Sequence, residues 1–165
     1  MSLADAVTRE AAWLTTFGDG LPALLTANGG PFDVVQAYAP RTPATRQTQL
    51  YLLRRRVVTS RFSQQRRLAT HTFQATISWP IGQSTTSVGI AETEQQNLDN
   101  AIELLIQRLE GFVDDKSHGG RFMSVGEAPN GTQFAVQYSD PLPGIAGALL
   151  TASVTYTADD KDYIE

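Results

Sequence analysis

The chain has no cysteine, only two histidines and only two lysines. Without cysteine there can be no disulfide scaffold, thiolate metal centre or cysteine nucleophile. His71 and His118 lie far apart in sequence, without the close spacing that builds a histidine metal site. Gly-x-Ser-x-Gly, Gly-x-x-x-x-Gly-Lys and Gly-x-Gly-x-x-Gly are all absent, which removes the commonest nucleophile elbow and phosphate loops. Asp114-Asp115 and Asp159-Asp160 are adjacent pairs whose side chains diverge, so neither makes a ready acid/base pair. No apolar run approaches the roughly 20 residues needed to cross a bilayer. The opening Met1-Ser2-Leu3-Ala4-Asp5 lacks the basic and apolar regions of a secretory signal. The expectation is a soluble protein with no membrane partner, no enzymatic activity, and neither cofactor nor metal.

Charge is also scarce, at 18% of residues against the roughly 25% usual in soluble domains. Its placement matters more than its amount. No Asp or Glu occurs from Val34 to Ala91, and eight of the thirteen basic residues fall between Arg41 and Arg67. That window carries +8 and leaves −12 elsewhere, although the whole chain is only −4. The window Glu92–Asp115 holds seven acids against Arg108 alone. Eighteen threonines and twelve glutamines make much of the remaining surface polar and neutral.

At 165 residues the chain suits one domain, 1–165. Leu3, Ala6, Val7, Ala11, Leu14 and Phe17 recur near helical spacing, with Ser2 or Asp5 as caps, and predict an N-terminal helix over Leu3–Phe17. Pro22–Thr26 reads as a short second helix, stopped by Asn28-Gly29-Gly30-Pro31. The period then becomes alternating, in strands Phe32–Ala39, Gln49–Thr59 and Thr70–Trp79. The last puts His71, Phe73, Ala75, Ile77 and Trp79 on one face and Thr, Gln and Ser on the other. Gly82–Gly89 is a polar loop. A long amphipathic helix follows over Thr93–Val113, with Thr93 and Gln96 as a capping box and Leu98, Ile102, Leu105, Leu109 and Phe112 along one stripe. Arg121–Val125 and Gln133–Tyr138 read as a hairpin about Pro129-Asn130-Gly131. Pro141, Pro143 and Gly144 bend the chain into a last strand, Ala148–Ala158. A flexible acidic tail, 159–165, ends it. This order predicts an α+β fold: a largely antiparallel or mixed sheet of about six strands, with both helices on one face.

The arginines sit awkwardly on this scheme. Strict alternation places Arg54 and Arg56 with Leu50 and Leu52, and Arg55 with Tyr51 and Leu53, so neither face covers a core beyond Leu53. Ser63-Gln64-Gln65 then becomes a hairpin tip with Arg61 and Arg66 across it, and like charges opposed across strands repel. The expectation is a projecting Arg-rich hairpin, about 48–69, which is either a plain solvated arginine face in a chain that uses Arg over Lys (11 against 2) or a surface better tolerated with an acidic partner. Two partners fit. One is the acidic helix of an identical neighbour, pairing Arg54, Arg55, Arg56, Arg61, Arg66 and Arg67 with Glu103, Glu110, Asp114 or Asp115 head to tail. The other is nucleic-acid phosphate, although Tyr51 and Phe62 alone make a poor stacking platform. His71 is expected in the core, His118 in an exposed loop, and Trp13 and Trp79 as packing anchors.

The whole arrangement resembles the tail-terminator (minor tail, or tail-completion) proteins of long-tailed bacteriophages. The likeness lies in the N-terminal helix, the strand block ending Ala69-Thr70-His71-Thr72-Phe73-Gln74-Ala75-Thr76-Ile77-Ser78-Trp79, and the single helix around Asn100–Gly111. Short strands about Phe122–Pro129 and the final strand around Ala152–Tyr156 complete it. The resemblance implies a structural virion protein located in the tail or neck and made in the host cytoplasm. It would form a ring, as a hexamer, that caps the tail-tube protein and meets the neck or connector protein. DNA would pass through without specific recognition. Another neck or tail-tube subunit is the near alternative. A nucleic-acid-binding module using Arg41–Arg67 is the alternative of a different class.

Overall fold

The computed structural model describes residues 3–40, 47–61, 63–80, 88–128, 131–139, 142–144 and 147–163. The fold is α+β. A turn of 3-10 helix, Leu3–Asp5, leads into α1 (Ala6–Leu14). β1 (Val34–Ala37), β2 (Gln49–Arg61) and β3 (Arg66–Pro80) come next, then α2 (Val88–Glu110). The rest is strand: β4 (Ser124–Val125), β5 (Glu127–Ala128), β6 (Gly131–Thr132), β7 (Ala135–Tyr138), β8 (Leu142–Gly144) and β9 (Gly147–Tyr163).

Three long antiparallel strands, β2, β3 and β9, make the body of the sheet. β1 adds to β2 in parallel, and β4, β7 and β8 lie end to end along the far side of β9. The sheet is therefore about five strand positions wide. Along β3, Ala69, His71, Phe73, Ala75, Ile77 and Trp79 are buried while the residues between them are half-buried. On β9, Leu150, Ala152, Val154, Tyr156 and Ala158 are their inward counterparts. Both helices add to this face, through Ala6, Val7, Trp13 and Leu14 of α1 and Leu98, Ala101, Ile102, Leu105 and Leu109 of α2. Burying each larger apolar side chain contributes about 1.5–3 kcal/mol, so this layer holds the domain together. The opposite face is Thr70, Thr72, Gln74 and Thr76 beside Thr151, Ser153, Thr155 and Thr157.

Local chemistry explains where the elements depart from periodicity. α1 stops at Leu14, and Phe17 stays 63% exposed. Thr15 and Thr16 turn their hydroxyls back onto the Ala12 carbonyl (3.0 Å each), a competing bond that favours a helix end. Asp5 occupies the N-cap position but makes no cap bond there, because its carboxylate accepts from Arg9 Nε (2.8 Å). Pro22–Thr26 is not helical; a 3-10 turn over Thr26–Asn28 takes its place. α2 begins five residues before Thr93 and ends at Glu110, where Gly111 takes φ +68. Phe112 and Val113 thus fall outside the helix and are exposed, not part of its packed stripe. The stretch 81–87 and residues Pro129, Asn130 and Pro141 lie outside the described residues. The expected hairpin of Arg121–Val125 with Gln133–Tyr138 does not form. β4 and β7 each pair with β9, and among the described residues only the short strands β5 and β6 pair with one another in this stretch.

Candidate functional site

The basic segment differs from a simple two-stranded hairpin in two ways. First, the register steps between Arg54 and Arg56, leaving Arg55 as an extra residue opposite the Phe73–Thr72 pair. A bulge flips every side chain beyond it. Arg54 therefore shares the inner face with Leu50 and Leu52, while Arg56 is opposite Thr72 on the outer one. Val57 continues the inner row against His71. Second, the acidic end is not a loose tail, because β9 runs to Tyr163 and pairs with the hairpin throughout. Arg67 stands opposite Asp162, Ala69 opposite Asp160 and Thr70 opposite Asp159. The extension is a three-stranded blade. β9 thereby brings Asp159 and Asp160 alongside the basic end of β3 within the same chain.

Inside the blade's root, α1 ties the acidic strand down. Arg9 Nη2 donates to Asp160 Oδ2 (2.7 Å), Arg9 Nη1 donates to the Arg121 carbonyl, and the guanidinium lies 4.8 Å over the Phe122 ring. Burial pushes the Asp160 carboxyl up, but His71 and Arg9 together hold it below the usual carboxylate range. His71 Nε2 is 3.8 Å from Asp160 Oδ2, too long for a true hydrogen bond, so Arg9 carries most of that effect. His71 is fully buried and stacked on Phe73 with ring centroids 5.6 Å apart.

The outer half of β2 spends its arginines on neutral groups. Arg54 Nη1 donates to the Leu3 carbonyl (2.6 Å), Arg55 Nε to the Gln74 side chain, and Arg61 Nε to the Ser63 carbonyl at 3.4 Å. Arg55, Arg56, Arg61 and Arg66 are exposed, and Val57 and Val58 are exposed beside them (37% and 47%). β1 covers only Gln49–Leu52, so among the described residues no strand pairs with the open side of Leu53–Arg61. Arg41, Arg46 and Phe62 lie outside the described residues.

The acids of α2 also keep local company. Glu103 accepts from Gln107 at 3.5 Å, and Lys116 Nζ donates to the Glu110 carbonyl (2.9 Å). Hydrogen bonds from the Ser117 hydroxyl and amide hold Asp115 below its usual range. Asp114 is exposed. Glu103 and Glu110 rim a groove of about 450 Å³ between α2 and β7, floored by Ile102, Ile106, Val136 and Tyr138. Asp99 adds a third acid and accepts from Tyr138 Oη (2.8 Å). Partial burial and that bond push the Tyr138 phenol up to about 12. A second hollow of about 350 Å³, lined by Leu98, Leu150 and Thr151, continues from Asp99 and Tyr138. The blade's open side and this groove belong to opposite edges of one sheet.

Sequence reading missed the densest polar cluster. His118 is buried, not in an exposed loop, with its backbone at φ +52. Its Nε2 faces the Leu109 carbonyl (2.8 Å) and its Nδ1 faces Glu10 Oε2 (2.9 Å). A carbonyl only accepts, so Nε2 carries a hydrogen, and one further proton lies between Nδ1 and the Glu10 carboxyl. Tyr156 Oη donates to the other Glu10 oxygen (2.7 Å), and burial with that carboxyl beside it pushes the phenol well above its usual range. Trp13 stacks on His118 (4.7 Å), and the buried Arg108 lies over the Trp13 ring (4.8 Å) while donating to the Trp13 and Pro22 carbonyls and to Asp19. Burial alone would push the Asp19 carboxyl up, but Arg108 and the Leu21 amide hold it below its ordinary value. Glu10, His118 and Tyr156 are at most 2% exposed, so an acid, a base and a phenol meet where no substrate reaches them. Glu10 at the end of an α1 turn was the available sequence signal, since its spacing from Val7 and Leu14 places it on the packed face.

Among the described residues no group of three or more His, Asp or Glu is placed to hold a metal ion, and no helix is long and apolar enough to cross a membrane. No protein-family model matches the chain, and no curated protein matches it either.

Proposed function

We propose that this chain is a structural subunit that assembles head to tail into a closed ring, of the tail-terminator kind its element order resembles. In that role the ring covers the end of a phage tail tube, denies it to further tube subunits, and presents its other side to a neck or connector protein in the virion. The observation that carries this reading is the separation of charge across one sheet: an exposed basic strand half at one edge, and an acid-rimmed apolar groove at the other. Unlike, non-overlapping surfaces associate heterologously, and heterologous contacts close into rings when the rotation permits. The open sheet face is uncharged from Thr70 to Thr76 and from Thr151 to Thr157, with arginines only at its β2 edge beside Thr72 and Gln74, so its centre has no cation to grip a phosphate. That property suits a lumen through which DNA passes unrecognised.

Light scattering of the purified protein with negative-stain images tests the reading. Closed rings that cap isolated tail tubes support it. Long open polymers would make the chain a tube subunit instead. A monomer whose DNA affinity falls by orders of magnitude between about 50 and 200 mM salt would make it a nucleic-acid module working through Arg55, Arg56, Arg61 and Arg66.

A further inference from the structure

The ring reading leaves open which surfaces meet, and the structure points to a specific pair. We propose that the open, basic half of β2 in one copy, Arg55–Arg61, seats in the groove between α2 and β7 of the next copy. This inference rests on the ring reading and names its contact.

Three observations carry it. The first is charge: Arg55, Arg56 and Arg61 are exposed on the strand half, and Asp99, Glu103 and Glu110 rim the groove. Arginine is suited to such a contact because its planar fork meets carboxylates bidentately and loses little hydration on approach. The second is apolar fit. Val57 is the exposed apolar residue of this strand half on the face that carries the helices, while Ile106, Val136 and Tyr138 form an apolar floor open to solvent between the acids. Covering both removes apolar surface from water, which charge alone would not reward. The third is backbone. The far side of β2 beyond Leu52 and the far side of β7 are both unpaired among the described residues. Exposed strand edges are templates for a further strand, and the two lie at opposite edges of one sheet.

The contact is staggered. Val57 aligns through His71 with Ala158 of β9, whereas β7 aligns Val136 with Val154. Seating Val57 of one copy opposite Val136 of the next shifts successive copies by four residues along the strands, roughly 13 Å at strand spacing. In a closed ring such a shift shows up as strand tilt. The acids Asp114 and Asp115 lie past the end of α2 and do not line the groove.

The test reverses the charge on each side separately and then together. Arg55→Glu/Arg56→Glu/Arg61→Glu alters the strand half, and Glu103→Arg/Glu110→Arg alters the groove. All five side chains are exposed, and circular dichroism checks that each variant is folded. Light scattering across a dilution series is expected to show either variant dissociating at concentrations about 100-fold or more above those needed for the unaltered protein. The two sets combined in one chain are expected to restore assembly. A ring that forms in the unaltered protein and survives the groove reversal overturns this contact and leaves the ring reading standing. Loss of assembly in both variants without rescue in the combined chain also overturns it. An unaltered protein that stays monomeric at 100-fold the expected assembly concentration overturns both.

Discussion

Two tyrosines in this protein make nearly identical bonds in opposite surroundings, which allows the value of burial to be measured directly. Tyr156 Oη donates to Glu10 over 2.7 Å at 2% exposure, and Tyr138 Oη donates to Asp99 over 2.8 Å at 54% exposure. Tyr156→Phe removes the hydroxyl and little else, since the ring stays packed between Phe73 and Phe134 (5.7 and 5.9 Å between centroids). It strands one Glu10 oxygen in a site water cannot enter. Losing a buried hydrogen bond to a carboxyl of this kind costs about 2 kcal/mol. Tyr138→Phe leaves Asp99 free to take water, and the expected loss is under about 0.5 kcal/mol. For a domain of this length, 2 kcal/mol lowers the midpoint by roughly 4–8 °C. Urea unfolding followed by circular dichroism reads the difference, with the slope unchanged between variants. Losses that agree within about 0.5 kcal/mol would refute the reasoning, because burial would then have no bearing on the bond.

Three further outcomes follow from other sites. Asp160 is held below its usual range, so its contribution to stability is present above the ordinary carboxylate pKa, near 3.8, and is lost as pH falls through the lower folded value. Arg9→Met removes the main cause; the variant should be weaker than the unaltered protein at pH 7, and the gap in urea midpoint should narrow toward pH 3. A gap independent of pH would disprove that assignment. Gly30→Ala places a Cβ 2.2 Å from the Leu24 carbonyl carbon, where only backbone could yield, at an expected cost of about 3 kcal/mol. Gly29→Ala meets open space and bears only the strain of φ +86, about 1 kcal/mol, so thermal midpoints that rank the other way would contradict the geometry. Arg108→Lys keeps the charge but cannot reach the Trp13 and Pro22 carbonyls and Asp19 together; a drop of about 2 kcal/mol is expected, and an unchanged melting curve would show the fork to be dispensable.

What the sequence determined by itself is whatever depends on neighbours along the chain. Alternation from Thr70 to Trp79 and the stripe from Leu98 to Leu109 each follow from a single period, so the α+β layering was readable without coordinates. The segregation of charge was equally plain, because a run without Asp or Glu from Val34 to Ala91 is a matter of counting. Tertiary structure decided everything that needed two distant segments to meet. The bulge at Arg55 exists because β3 dictates register, and one inserted residue put Arg54 and Arg56, which strict alternation places together, on opposite faces. The acidic end became a strand because Arg66–Thr70 offered a partner lying about ninety positions earlier. His118, in a polar loop just before two glycines, looked solvent-facing, yet the Glu10 carboxyl and the Leu109 carbonyl supply the bonds that water would otherwise make. The acidic groove likewise arises where β7 comes to lie beside α2, and nothing local in Val136 or Tyr138 announces that neighbour.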